Sequence, residues 1–225
     1  MSLTLYFHPF SSFCQKVLIA LYENDTPFQP HPVDLMNAGQ AAAFKKVWPM
    51  GRFPVLRDEG RDRTVPESSI IIEYLDLHYP GATRFVPEDP DLANRTRLLD
   101  RFFDLDVNVP MAKIVTDRLR PAGKSDEFGV EAARVQLQTA LGILDRDMAP
   151  KAWATGETFG MADCAAAPAL YYTNLVMPFA RTHKNAAAYF DRLMQRASFV
   201  RVLREVEPYR AFFPKERPTQ ERAQG

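Results

Sequence analysis

Cysteine is scarce in this chain: there are two among 225 residues, Cys14 and Cys164, 150 positions apart. A disulfide framework or a zinc centre needs more thiols at tighter spacing, so neither is expected, and the usage fits a reducing, cytoplasmic setting. The four histidines, His8, His31, His78 and His183, form no i, i+4 pair, and no metal is expected. Net charge is missing too, with 28 basic residues against 28 acidic ones. Proteins that neutralise phosphates carry a basic excess or stripe, so nucleic acid is not expected as a partner. Long apolar runs are also lacking. The longest, Cys164 to Ala180, is broken by Pro168, Thr173, Asn174 and Pro178 and falls short of the about 20 clean residues that a bilayer span requires, so no membrane partner is expected. The opening LTLYFHPFSSF has no basic flank and no small-residue cleavage site, so no secretory signal is expected. What is present is 46% hydrophobic residues, enough for a chain of this length to bury a core and escape disorder.

The periodicity changes along the chain. LTLYF (residues 3–7) favours a strand, and FCQKVLIALYEN repeats Val17, Leu18, Leu21 and Tyr22 at helical spacing. Ser12 followed by Gln15 matches a capping box and places the helix start near Ser12. PFQPHPVD is extended, Ala38 to Val47 is helical, Pro54–Arg57 and Arg63–Val65 form a hairpin around Gly60, and SSIIIEYLDLHY closes with a helix. The order β-α-β-α-β-β-α in about 80 residues predicts a small α/β domain with a mixed sheet over 1–80. A proline-rich linker over 81–91 follows. Beyond it only helices are expected, near 92–119, 127–148, 162–176, 185–196 and 198–206, making an all-α domain over 92–215. Pro168 is expected to bend its helix, and the polar tail 216–225 is expected to fray.

Three turns of the first domain fall where strands meet helices or loops and should converge at one sheet edge: Ser11 with Ser12, Arg52 to Pro54, and Glu67 with Ser68. Taken singly each has an ordinary explanation, since serine caps helices and proline starts strands. Taken together, the strand leading into SSFCQKV, then GRFPVL, PESSIIIEYL and the later GETFGMADCAAAPAL resemble the cytosolic glutathione transferase family, in its order and spacing, over about residues 3–210.

That resemblance implies a thioredoxin-like N-terminal domain that binds glutathione as co-substrate, an all-helical C-terminal domain for a second substrate, and a homodimer. It also implies a cis bond before Pro54, which lets Phe53 present its N–H and C=O to the cysteinyl backbone of the tripeptide. Glu67 would pair with the α-ammonium, Ser68 and the helix N–H groups with the α-carboxylate, and Arg52 or Lys46 with the glycyl carboxylate. Lowering a thiol pKa by two units takes about 2.7 kcal/mol of anion stabilisation, within reach of one hydroxyl and a helix N-terminus. The family's S-x-x-x-x-[KR]-V pattern assigns that hydroxyl to Ser11, with Lys16-Val17 at its end; Tyr6, Ser12 and Cys14 remain rivals. Phe102, Phe103, Val107, Met111 and Ile114 are expected to wall the second-substrate pocket, facing Tyr171 and Phe212.

Two departures from the pattern are visible. Gly160-Met161-Ala162-Asp163 keeps the family's acidic residue but lacks the hydroxyl cap, and Trp48-Pro49 stands where many members have asparagine before the proline. The expected reaction is transfer of glutathione to an apolar electrophile. A glutathione-dependent isomerase, peroxidase or disulfide reductase is the alternative within the same chemistry, and a non-catalytic interaction module the alternative outside it.

Overall fold

The structure, a computed structural model, describes residues 2–216; of the tail expected to fray, residues 217–225 lie outside that range. Strand β1 (Leu3–Phe7) alternates as its sequence requires, with Leu3, Leu5 and Phe7 buried on one face. Helix α1 (Ser12–Glu23) carries the chain across to β2 (Gln29–Pro32), which pairs parallel to β1. After α2 (Ala38–Val47), β3 (Val55–Asp58) pairs antiparallel to β1, and β4 (Arg63–Pro66) antiparallel to β3. Helix α3 (Ser68–His78) completes a four-stranded mixed sheet of order β2-β1-β3-β4 with helices on both faces. On one face Leu3, Leu5 and Phe7 join Val17, Leu18 and Leu21 of α1 and Ile71, Ile72 and Leu75 of α3. On the other, Tyr6 packs with Val33, Phe44 and Val55 beneath α2.

The connection to the helical half is pinned in place. Asp76 of α3 accepts hydrogen bonds from Phe85 N (3.0 Å) and Val86 N (3.1 Å), and both side chains are buried. Helices α4 (Pro90–Phe102), α5 (Val109–Asp117), α6 (Glu127–Met148), α7 (Met161–Val176), α8 (Lys184–Met194) and α9 (Ala197–Val206) follow, with a 3₁₀ segment over Glu207–Phe212. Alanine-rich α7 is buried along most of its length, runs through Pro168 to Val176, and packs against α1 and α4. One hydrophobic core therefore runs without interruption from the sheet through α1 into the helical half.

The single helix expected over 92–119 is not continuous. Between α4 and α5 lies a π-helical segment, Phe103–Asn108. Pro110, in the first turn of α5, has no N–H to donate upstream, and the wider π turn accommodates that loss. The apolar stripe Phe103, Val107, Met111 and Ile114 consequently points into the protein: all four are at most 5% exposed. They belong to the hydrophobic core, with Phe102 half-buried against them, and of the four only Ile114 also lines a small cavity, of about 170 Å³, among the cavities of the described residues. Helical spacing alone does not distinguish a stripe that faces a core from one that faces a cavity.

Candidate functional site

The site begins at a cis peptide. Phe53–Pro54 is cis, and Pro54 is buried just before β3, where it turns the chain into the sheet. Gly51 reaches this turn with φ +61° and donates its N–H to Trp48 O (2.9 Å), a conformation that favours glycine. Across the sheet edge, Glu67 is the N-cap of α3 with φ 69°. That left-handed conformation is costly for a residue with a side chain, by about 1–3 kcal/mol, and places the exposed Glu67 beside the buried Ser68. Glu67 makes no side-chain cap, so the first N–H groups of α3 have no capping side chain.

Two of the three turns meet, and the third contributes Phe13 to their cavity but neither Ser11 nor Ser12. Arg52, Phe53, Pro54, Glu67 and Ser68 line one cavity of about 290 Å³, together with Phe13, Trp48, Pro66 and Val109. Lys46, the alternative to Arg52, is exposed on α2 and is not among the lining residues. Sequence reasoning missed Phe13 and Val109. It treated Trp48 as a departure, although the indole forms part of the wall and packs over Phe44 and Val55.

At the start of α1 the structure corrects the capping assignment. Ser11, not Ser12, is the N-cap, and neither serine makes a side-chain cap. Gln15 does not return to the cap; it donates to Pro9 O (2.9 Å) and Tyr172 Oη (2.8 Å), tying α1 to α7. Ser12 instead lines a narrow seam with Lys16, Asp104 and Asn108. Ser11 is half-buried, with its N–H held by His8 O (3.0 Å) and its hydroxyl beside the Cys14 thiol, whose pKa it lowers against the larger effect of burial. Burial pushes the Cys14 thiol up to about 12, so it is an uncharged, unreactive group at neutral pH. Tyr6 stacks on Phe44 (5.9 Å between centroids) and tilts against His31 (4.6 Å), on the α2 face of the sheet.

Beneath the start of α3 lies a buried polar network. Lys16 Nζ is 2.6 Å from Asp100 Oδ1, 2.8 Å from Asp104 Oδ2 and 2.8 Å from Ser69 Oγ. Ser69 donates to Asp100 Oδ2 (2.7 Å), and Arg101 joins Ser69, Asp100 and Asp104 from the surface. Lys16 and Asp100 are each 1% exposed, and burial holds the Asp104 carboxyl above the usual range despite the lysine. The lysine of the sequence pattern thus fastens the helix that carries Glu67 and Ser68 to the helical half.

A second cavity, of about 630 Å³, opens on the other side of the turn before α1. His8, Pro9, Phe10, Val33, Tyr209 and Phe212 are among its lining residues. Of the pocket residues expected from sequence only Phe212 is here. Tyr171 packs against Tyr172 and Phe199 within the helical half.

A thioredoxin-like sheet with a cis-proline cleft beside two helix N-termini, joined to a helical half through a shared core, defines a class of glutathione-dependent proteins. Comparison with known proteins agrees. The family description "Glutathione S-transferase, N-terminal domain" matches residues 5–83, and "Glutathione S-transferase, C-terminal domain" matches residues 127–192. The chain belongs to the glutathione transferase family. It is 23% identical over 202 residues to Glutathione S-transferase GstB of Escherichia coli strain K12, covering 89% of this chain and 97% of that one. It is 28% identical over 211 residues to a stringent starvation protein A homolog of Histophilus somni, covering 92% of each. Among solved structures, a glutathione S-transferase from Methylobacillus flagellatus with glutathione bound superposes with a TM-score of 0.81 at 25% identity, over 89% of this chain and 98% of that one.

Proposed function

We propose that the protein is a glutathione S-transferase that binds glutathione in the 290 Å³ cavity and activates its thiol with Ser11. The observation that carries this reading is the convergence of Arg52, Phe53, Pro54, Glu67 and Ser68 on one cavity. Their chemistry matches the tripeptide end to end: a carboxylate for the ammonium, a helix N-terminus for the α-carboxylate, extended backbone for the cysteinyl unit, a guanidinium for the glycyl carboxylate. Ser11 stands at the positive end of α1, where a hydroxyl and the helix dipole together favour a thiolate. The electrophile occupies the 630 Å³ cavity, whose lining of Phe10, Val33 and Phe212 suits an apolar compound.

A reductase cycle through the protein's own thiols is disfavoured, because Ser11 occupies the attacking position and Cys14 is buried and protonated. Both cysteines are buried and unpaired, which fits a cytoplasmic setting. A homodimer forms through the outer faces of α3 and α4, where Ile70 and Leu77 are exposed beside a cavity of about 710 Å³.

The test is the ultraviolet difference spectrum of glutathione added near neutral pH to wild type and Ser11→Ala. A thiolate band should appear with the wild type and vanish in the variant, with kcat/KM falling about 10- to 100-fold and glutathione affinity nearly retained. Binding of glutathione without a thiolate band in the wild type would point instead to an interaction module.

A further inference from the structure

The His8 ring stands between the two cavities. It stacks on Phe53 of the smaller one (centroids 6.0 Å, planes 20° apart) and meets Tyr209 of the larger one edge-on (5.3 Å, 69°). Its backbone is held on both sides: its N–H points to Cys14 Sγ (3.5 Å), and its carbonyl accepts from Ser11 N (3.0 Å). The ring is therefore fixed one turn away from the hydroxyl assigned to the thiol.

The ring's protonation follows from its contacts. Phe10 N–H donates to Nδ1 (3.2 Å), so a neutral imidazole carries its single proton on Nε2. Burial lowers the His8 pKa by more than Asp34, the charged group facing it, raises it, so the ring is neutral at pH 7. Cys14, from α1, is protonated, and Tyr209 and Phe53 face the ring with their aromatic surfaces. Among the described residues no group accepts a hydrogen bond from Nε2, although His8 lines the larger cavity. A half-buried N–H donor without a protein acceptor, facing a largely apolar cavity, is suited to an oxygen of a ligand.

We propose that His8 is a second catalytic residue, whose Nε2–H donates to the carbonyl oxygen of an apolar α,β-unsaturated carbonyl compound bound in the larger cavity. This rests on the glutathione transferase reading and names its substrate class. In the reaction the thiolate sulfur forms a bond to the β-carbon, the C=C pair shifts to the α-carbon–carbonyl bond, and the carbonyl pair moves onto oxygen. Nε2–H stabilises that enolate oxygen, a charge that grows only in the transition state. Water then protonates the α-carbon, balancing the proton that the thiol released. Displacement of a halide puts the charge on a poor hydrogen-bond acceptor and draws little on this donor.

The experiment measures kcat/KM for 4-phenylbut-3-en-2-one and for benzyl chloride, with wild type, His8→Phe and His8→Gln, alongside the affinity of each protein for S-butylglutathione. His8→Phe should lose about 10-fold or more on the enone relative to benzyl chloride, and His8→Gln, which restores an N–H donor, should recover part of the loss. An equal loss on both electrophiles, or no loss on either, overturns the role of His8 while tight S-butylglutathione binding leaves the glutathione site standing. If the wild type binds S-butylglutathione but conjugates neither compound, or does not bind it at all, the transferase reading falls and this proposal with it.

Discussion

Ser11 and Cys14 are neighbours in one turn, and burial separates their roles. The thiol is pushed up to about 12, while the half-buried hydroxyl beside it can donate to an incoming sulfur. Asp163 shows the same principle in a structural role. It is buried at the start of α7, where its carboxylate accepts from Gly160 N (2.9 Å), Ala154 N (2.9 Å) and Tyr189 Oη (2.6 Å). Glycine stands at the cap where a hydroxyl residue is normally found, and a Cβ there would lie in tight contact, 3.0 Å from the Phe85 carbonyl oxygen, which already accepts from Met161 N (2.9 Å). Burial outweighs those three donors and pushes the Asp163 carboxyl up to about 6 from its ordinary 3.8. Between those values the folded protein holds a proton that the unfolded chain has released, so this group's contribution to stability falls as pH rises from about 4 to about 6. The gap corresponds to about 3 kcal/mol. Urea titrations across that range should show a pH slope in the wild type that Asp163→Asn flattens; an unchanged slope would remove Asp163 as its source.

At the scale of elements, the junction of α1, α3 and the π segment depends on Lys16. Its ammonium balances Asp100 and Asp104 in a region almost closed to water, and breaking a buried pair by removing one partner typically costs about 3–5 kcal/mol. Lys16→Met should lower stability by that order in chemical denaturation. It should also weaken glutathione binding, because Ser69 adjoins Ser68; loss of stability with unaltered affinity at low temperature would show that the network does not position α3. Most elements were legible in the sequence because their signals are local: alternation in LTLYF, the proline-spaced strand, the helix from Ala38 to Val47. The π segment was not, since Phe103, Val107, Met111 and Ile114 keep helical spacing whether the helix is continuous or widened by one turn. The capping box at Ser12 misled for a related reason. Gln15 has the spacing to cap, but α7 brings the Tyr172 hydroxyl to its amide instead.

At the scale of the whole molecule, one face remains apolar and open. Leu77 is 73% exposed and Leu98 64%, on the outer sides of α3 and α4 and remote from the core. If these faces join two copies, Leu77→Glu should shift sedimentation at micromolar concentration from dimer to monomer, leaving the far-ultraviolet circular dichroism unaltered. A monomeric wild type under the same conditions would exclude the pairing. The same view explains the position of the cavity proposed for the electrophile. The helical half closes on the sheet through α1, α7 and α9, which fills the space that the α4–α5 stripe was expected to border. A cavity of about 630 Å³ lies beyond the turn before α1, where the 3₁₀ segment with Tyr209 and Phe212 meets His8 and Phe10.

From the sequence alone came the order of elements, the two-part architecture and the grouping of Arg52, Phe53, Pro54, Glu67 and Ser68, which line one cavity. Those features rest on hydrophobic period, turn chemistry and motif spacing, all of which are written within short stretches of chain. Only the tertiary structure decided which serine caps α1, that Cys14 is sealed from solvent, that Lys16 is neutralised by two aspartates from the other half, and where the second cavity lies. Each of these is a matter of burial and of contacts between residues far apart in sequence, and neither is set until the elements pack.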